Sequence, residues 1–439
     1  MSTQTGINTA ASTLRIETFS VDGDADTSAE GPLAAWFEGV SFGFHEGRLE
    51  VEDLPKLAEA YAADRRILWG AYDDNPGPHA WNPRIPVATY GTMVNSLNVG
   101  GGRLLDAHLV TAVTVRPTHR RRGLLRQMIT ADLQGAAERG FAVAALTASE
   151  ATIYGRFGFG TATHTTSIEV DVRERFAITS VPYGRMEVVS PEAAVDLTQE
   201  VFAGFHSHSL GSIGRQFAYS RRSAGLWGED RPQPDKALRT AVHYDDDGRP
   251  DAFVSYSFAG WEKTPYTMRV KDLVAVSDAA YLELWRYLGS LDLIERVTFG
   301  SAPVQDPLPW ALADRRCREL KSDEDVLWLR ILDPVAALSQ RNYEHDGVLS
   351  LSITDALGHA EGAFELSVAN GAGTVRRLGD GSGTDITLDV AALGSLYLGG
   401  VDARILASAG GLTGGSPEGV ERAATLFSVA RAPYCITHF

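Results

Sequence analysis

The sequence predicts a mixed α/β and α+β chain of three units, and three observations carry that prediction. The chain has 439 residues, more than one hydrophobic core serves. The order strand, hairpin, strand, helix occurs once before residue 172 and again after it. From residue 321 onward the texture changes to short alternating strands separated by glycine-rich turns. The expected units are therefore residues 12–172, 173–320 and 321–439.

Residues 1–11 are small and polar, without the basic and apolar regions of a signal peptide, and are expected to form a disordered N-terminus. Residues 36–42 read as a helix, and so do residues 53–61, with Asp53 as N-cap and Pro55 in the first turn. A strand follows at 66–72, a loop at 73–78, and strands at 87–97 and 104–115.

In the second unit, strands at 241–244 and 252–258 flank Asp245, Asp246, Asp247 and Gly248, a hairpin signature. A strand at 266–276 and a helix at 279–290 complete the repeated order, which suggests duplication. The third unit opens at 326–338 with strand, Asp-Pro and helix. Strands at 349–353, 362–368 and 384–390 and helices at 391–398 and 419–427 give an α+β sandwich.

Composition narrows the function. Hydrophobic residues make up 44% and charged residues 22%, as in a soluble globular protein, and no apolar run reaches the length of a membrane span. The two cysteines, Cys317 and Cys435, make neither a disulfide framework nor a zinc site, so no metal is expected and a cytoplasmic setting fits. A net charge of −16 argues against a nucleic-acid partner and suits a cationic ligand.

One stretch carries chemistry. Residues 108–115 are rich in β-branched side chains and end at Pro117. Arg120, Arg121, Arg122 and Gly123 form a basic turn. A helix follows over 124–139, with Leu125, Met128, Ile129, Leu133 and Ala136 on one side and Gly140 closing it. The first turn of a helix has unpaired N–H groups and a positive dipole end, Gly123 permits close approach, and Arg126 adds charge. Such a place suits a pyrophosphate. Residues 141–148 then read as a buried strand, and Ser149 as the cap of a short helix, 149–157, that carries Tyr154 and ends at Gly158.

These motifs resemble the GCN5-related N-acetyltransferase (GNAT) superfamily, whose pyrophosphate loop reads Gln/Arg-x-x-Gly-x-Gly/Ala. Here Arg120 and Gly123 match, while Leu125 departs at the last position. Tyr154 and the Gly158–Phe159 pair match the aromatic-x-x-x-Gly-Phe signature. The combination is similar to the enhanced intracellular survival (Eis) family over nearly the whole chain. That resemblance implies a catalytic GNAT domain at 12–172, a degenerate one at 173–320 and a sterol-carrier-protein-like domain at 321–439. The second unit has no Arg-x-x-Gly after its strand, at 271–280, and no coenzyme is expected there.

The resemblance further implies that acetyl-CoA is held by Val113, Thr114, Val115, Arg121, Arg122, Gly123, Leu124, Leu125, Arg126, Ser149 and Glu150. Tyr154 would protonate the leaving thiolate. The carboxylate of Phe439, at the end of an apolar aromatic tail, would be the base, with His438 as a rival. The acceptor region would involve Trp36, Phe37, Phe42 and Phe44, with Glu38 and Glu46 nearby, although core packing explains the aromatic residues equally well. The implied activity is acetylation of cationic amines: aminoglycosides at more than one amine, lysine side chains or polyamines. The implied assembly is a homohexamer. Two alternatives stand beside it: a lipid- or protein-binding module with a vestigial site, and a transferase for one metabolite amine.

Overall fold

The computed structural model describes residues 14–379 and 383–439, so the disordered end expected at 1–11 lies outside the described residues. The first unit runs β1 (Leu14–Ser20), α1 (Pro32–Gly43), α2 (Leu54–Ala63), β2 (Ile67–Asp73), β3 (Ala88–Asn98) and β4 (Leu104–Val115). It continues with α3 (Leu124–Glu138), β5 (Val143–Thr147), α4 (Ala151–Tyr154) and β6 (Gly160–Thr161). Next come β7 (His164–Asp171), β8 (Arg185–Val189), α5 (Pro191–His208), α6 (Ala218–Ser223), β9 (Arg239–Tyr244) and β10 (Pro250–Phe258). Then follow β11 (Thr267–Ala275), α7 (Asp278–Gly289), β12 (Arg296–Pro303), α8 (Leu308–Ala311), β13 (Arg318–Asp325) and β14 (Leu327–Ile331). The last part holds α9 (Pro334–Gln340), β15 (Gly347–Thr354), β16 (Gly362–Ala369), β17 (Ala372–Arg377) and β18 (Ile386–Asp389). It ends with α10 (Val390–Leu396), α11 (Ala403–Ser408), β19 (Leu412–Gly415) and α12 (Pro417–Phe427).

The duplication is visible in the sheets. The first has the order β1-β2-β3-β4-β5-β14-β6 and the second β8-β9-β10-β11-β12-β7-β13. In each, four antiparallel strands lead to one parallel pair, β4 with β5 and β11 with β12. The third sheet, β17-β16-β15-β18-β19, belongs to the C-terminal part.

Two strands cross between the sheets. β7, placed by the boundary at 172 with the first unit, pairs with β12 and β13. β14, placed by the boundary at 320 with the third unit, pairs with β5 and β6. The sheets therefore do not divide where the sequence units divide. The alternation of a strand fixes its faces but not its partner. All five residues of β14 are buried, as suits an interior position.

The third sheet packs on the first through one core: Leu109, Ala145 and Leu329 cluster with Leu349, Leu351 and Phe364. Within it, Arg330 donates to both oxygens of Asp355 at 2.8 and 2.7 Å, with both side chains buried. Gly160 is needed here, because a Cβ would lie 1.8 Å from the Ala391 carbonyl of α10.

The Asp53 cap is corrected. Asp53 occupies the N-cap position of α2, but its side chain makes no capping bond. It instead accepts from Arg231 Nε at 2.7 Å and Gln233 Nε2 at 2.6 Å, in the loop between α6 and β9. Among the described residues, no helix is long and apolar enough to cross a membrane.

Candidate active site

The strand registers open a cleft. β4 and β5 pair from Ala107–Val143 to Val110–Leu146, and β4 then runs on to Val115 beside β3 alone. Ala112 has φ +50° next to a register shift between Thr89 and Gly91, so β4 bulges where it leaves β5. Thr89 fixes the bulge by donating to the Ala112 carbonyl at 2.9 Å, with the Thr114 hydroxyl 2.7 Å away. On the β5 side, Val113, Thr114 and Val115 have no strand partner among the described residues, which leaves this edge open to a ligand. The end of α1 closes over this segment: a Cβ on Gly43 would lie 2.3 Å from Thr114.

At the end of β4 the basic turn faces solvent. Arg120, Arg121, Arg122, Gly123 and Arg126 are exposed, and Arg121 and Gly123 have φ +64° and +77°. Gly123 is the N-cap of α3 without a side-chain cap, and the first helical bond runs from Gln127 N–H to Gly123 O. The preceding N–H groups remain available. Leu124 is buried, and Leu125, which departs from the superfamily pattern, packs half-buried on the core beneath. The residues thus fit a pyrophosphate: left-handed backbone, free donors and exposed guanidinium groups in one turn.

Tyr154 sits in the core cluster with Val110 and Leu146, where the strands part, and Val113 and Val115 pack against the same cluster. Burial, then the charge of Glu150, pushes its phenol up to about 12. The Ser149 cap is corrected: Glu150 is the N-cap of α4, neither side chain caps the helix, and both are exposed.

The tail reaches this cleft. Thr147, the last residue of β5, donates to the Phe439 main-chain oxygen at 2.8 Å, and Phe439 N–H donates back to its hydroxyl at 3.3 Å. His438 lines a cavity, and desolvation there lowers its imidazole pKa despite the opposing charge of Glu324. Its main chain is held by Tyr219, which accepts from His438 N–H at 2.6 Å and donates to His438 O at 3.0 Å. Beside it lies a cavity of about 340 Å³ lined by Tyr219, Trp227, Glu229, Asp272, Phe299 and His438.

The aromatic residues expected at the acceptor divide. Trp36 and Phe37 are core, with Trp36 Nε1 donating to Trp69 O at 2.9 Å. Phe42 and Phe44 are partly exposed, and Phe42 meets Trp81 and the Arg116 guanidinium. Glu38 is half-buried on α1 and Glu46 is exposed beyond its end. Sequence reasoning missed Thr147 and Tyr219. A polar residue ending a buried strand was the one available sign of the former, and no motif marks the latter.

Comparisons with known proteins agree with this architecture. Residues 35–162 and 218–331 match models described as acetyltransferase (GNAT) domains, and 334–436 a sterol carrier protein domain. The chain is 34% identical to N-acetyltransferase Eis of Mycobacterium tuberculosis over 328 residues, 71% of this chain and 76% of the relative. It is 33% identical to an uncharacterized N-acetyltransferase of Streptomyces griseus over 422 residues, 94% of this chain and 98% of the relative. The crystal structure of Eis1 from Mycobacterium abscessus superposes with TM-score 0.72 at 31% identity, covering 85% of this chain and 90% of that one. A GCN5-related N-acetyltransferase from Anabaena variabilis superposes with TM-score 0.75 at 20% identity, covering 92% and 97%, and shows the fold alone.

Proposed function

The chain belongs to the Eis family of N-acetyltransferases, and from that premise we propose that it acetylates amines of cationic acceptors, with Tyr154 as proton donor and the Phe439 carboxylate as base. The acceptors in this reading are aminoglycosides, at more than one amine, and lysine side chains or polyamines. Acetyl-CoA supplies the acetyl thioester.

Val113, Thr114 and Val115 would hold the coenzyme along the open edge of β4. Arg121, Arg122, Gly123, Leu124, Leu125 and Arg126 would hold its pyrophosphate, and Ser149 and Glu150 would border it at α4. Main-chain N–H groups at the end of β4 are suited to a developing oxyanion. A phenol held near 12 is protonated at neutral pH and can donate to a leaving thiolate. The acceptor ammonium must lose a proton before it attacks, and a carboxylate beside the cleft can take it.

The observation that carries the reading is the main chain of Phe439 fixed on Thr147, the residue after Leu146 at the parting of β4 and β5, with Leu146 in the cluster that holds Tyr154. The net charge of −16 supports a cationic acceptor. The test is coenzyme A release with a panel of amines, in the native protein and in one extended after Phe439. Turnover with aminoglycosides and polyamines that the extension abolishes is expected, and undiminished turnover in the extended protein removes the carboxylate from the mechanism. The family resemblance also carries the proposal of a hexamer, which light scattering checks.

A further inference from the structure

The second acetyltransferase-type unit repeats the open cleft of the first but lays the chain's own tail along it. β11 and β12 pair from Thr267–Arg296 to Val270–Phe299 and then part, as β4 and β5 do after Val110–Leu146. Both bulges fall just past the last pair, with a register shift between Ser255 and Tyr256 opposite Lys271. The helix start that follows has opposite chemistry in the two units. In the first, exposed arginines surround an uncapped N-terminus. In the second, Ser277 caps α7 by accepting from Ala280 N–H at 3.1 Å, and Asp278 puts a carboxylate in the first turn. An anion is disfavoured there.

A cation takes that position instead. Arg431 of the tail donates to both oxygens of Asp278 at 2.8 and 2.5 Å. Three residues on, the Tyr434 hydroxyl donates to Ser301 O on β12, two residues past the last parallel pair, at 2.5 Å. Ile436 packs with Val242, Phe253 and Val274 of the second sheet, and the Thr437 hydroxyl donates to Ile213 O at 2.9 Å. The tail then meets Tyr219 at His438 and Thr147 at Phe439.

The base of the Tyr219 contact is itself built on the second cleft. Arg215 donates to both oxygens of Asp272 at 2.7 Å, and its guanidinium lies 4.7 Å from the Tyr219 ring centre. Ser223, at the end of the same helix α6, donates to Asp272 at 2.5 Å. Asp272 is the second residue of β11 after the strands part. One phenol satisfies both main-chain groups of His438, so the residue that follows has its direction set.

We propose that the second unit is a holder for the tail, with residues 431–438 laid through its cleft, and that Tyr219 is a positioning residue for the carboxylate of Phe439. The proposal rests on the reading of that carboxylate as the base. It gives the degenerate unit a function in the reaction: its cleft carries the peptide that completes the first unit's site.

The test compares four full-length proteins: native, Tyr219→Phe, a protein with two glycines after Phe439, and the combination. Tyr219→Phe keeps the ring on Arg215 and removes only the hydroxyl. The expected result is a kcat lower by about tenfold or more, with the KM for acetyl-CoA and the Tm unchanged. In the extended protein the same substitution is expected to cause no further loss, because the base is already displaced. Native kcat in Tyr219→Phe alongside a dead extended protein overturns the positioning role and leaves the carboxylate reading standing. Full activity in the extended protein overturns both. A loss of kcat that tracks a lower Tm, or that adds fully to the loss from extension, makes Tyr219 merely structural. Asp278→Ala, which frees Arg431 far from the chemistry, is expected to lower kcat in the same way, and native kcat there overturns the holder role of the cleft.

Discussion

Thr147 and Phe439, 292 residues apart, share two hydrogen bonds through one hydroxyl, which donates to the Phe439 oxygen and accepts from its N–H. Valine at 147 keeps the shape and removes both bonds. Each is worth roughly 0.5–1.5 kcal/mol, too little to threaten the fold but enough to release a chain end. Thr147→Val is therefore expected to lower kcat by about tenfold, with KM for acetyl-CoA unchanged. Steady-state kinetics in both substrates checks this, and a native kcat shows that Thr147 does not orient the carboxylate.

Tyr154 predicts a pH profile. Its phenol, pushed up to about 12 by burial, remains protonated below about pH 10 and so adds no falling limb there. Turnover should rise with pH as base and amine lose their protons, then level off. Tyr154→Phe should lower kcat by roughly 10²–10⁴-fold while calorimetric binding of acetyl-CoA is retained. A falling limb near neutral pH in the native protein that vanishes in Tyr154→Phe would refute the high value.

The exposed turn at Arg121, Arg122 and Arg126 should act on affinity alone. Its guanidinium groups face solvent, so each contributes about 1 kcal/mol or less toward a phosphate. Arg122→Ala is expected to raise the KM for acetyl-CoA by up to about fivefold at low salt, with kcat unchanged. The difference should shrink as salt is added, because exposed charges are screened. An equal effect at low and high salt would point to packing rather than charge.

Much of this was legible in the sequence because it is local. The strand, turn and helix around Gly123 follow from β-branched residues, Pro117, and apolar spacing over 124–139, and α3 has that extent within a residue. The duplicated order of the first two units was legible for the same reason. What failed was long-range choice. Asp53 has the residue type and position of a cap, yet Arg231 and Gln233 compete for its carboxylate from the second unit. β7 and β14 exchange sheets, and nothing in their alternation names a partner. β17 was missed because it is an edge strand with exposed and half-buried residues and no apolar face. At the proposed site, motifs pointed to Gly123 and Tyr154, whereas Thr147 and Tyr219 come into play only through contacts with a tail that folds back across two units.

His206 joins the first two units and makes their contact sensitive to acid. Its Nε2 lies 2.8 Å from the hydroxyl of Ser96 on β3, its Nδ1 lies 2.5 Å from that of Ser212, and its ring stacks on Phe202. Burial pushes the imidazole down from 6.5 to about 4. The folded-state value is therefore the lower one, and between these pH values the unfolded chain binds more protons than the folded chain. The stability that a neutral His206 contributes is present above pH 6.5 and is lost as the pH falls toward 4, at up to about 1.4 kcal/mol per unit. Glutamine can keep hydrogen bonds to the serines but cannot take up a proton. His206→Gln is thus expected to be about 1–2 kcal/mol less stable than the native protein at pH 7.5, with the gap closing at pH 5. Denaturant unfolding of both proteins at the two pH values measures it. A constant gap would mean that His206 carries no proton-linked stability, and that acid weakens the fold through other groups.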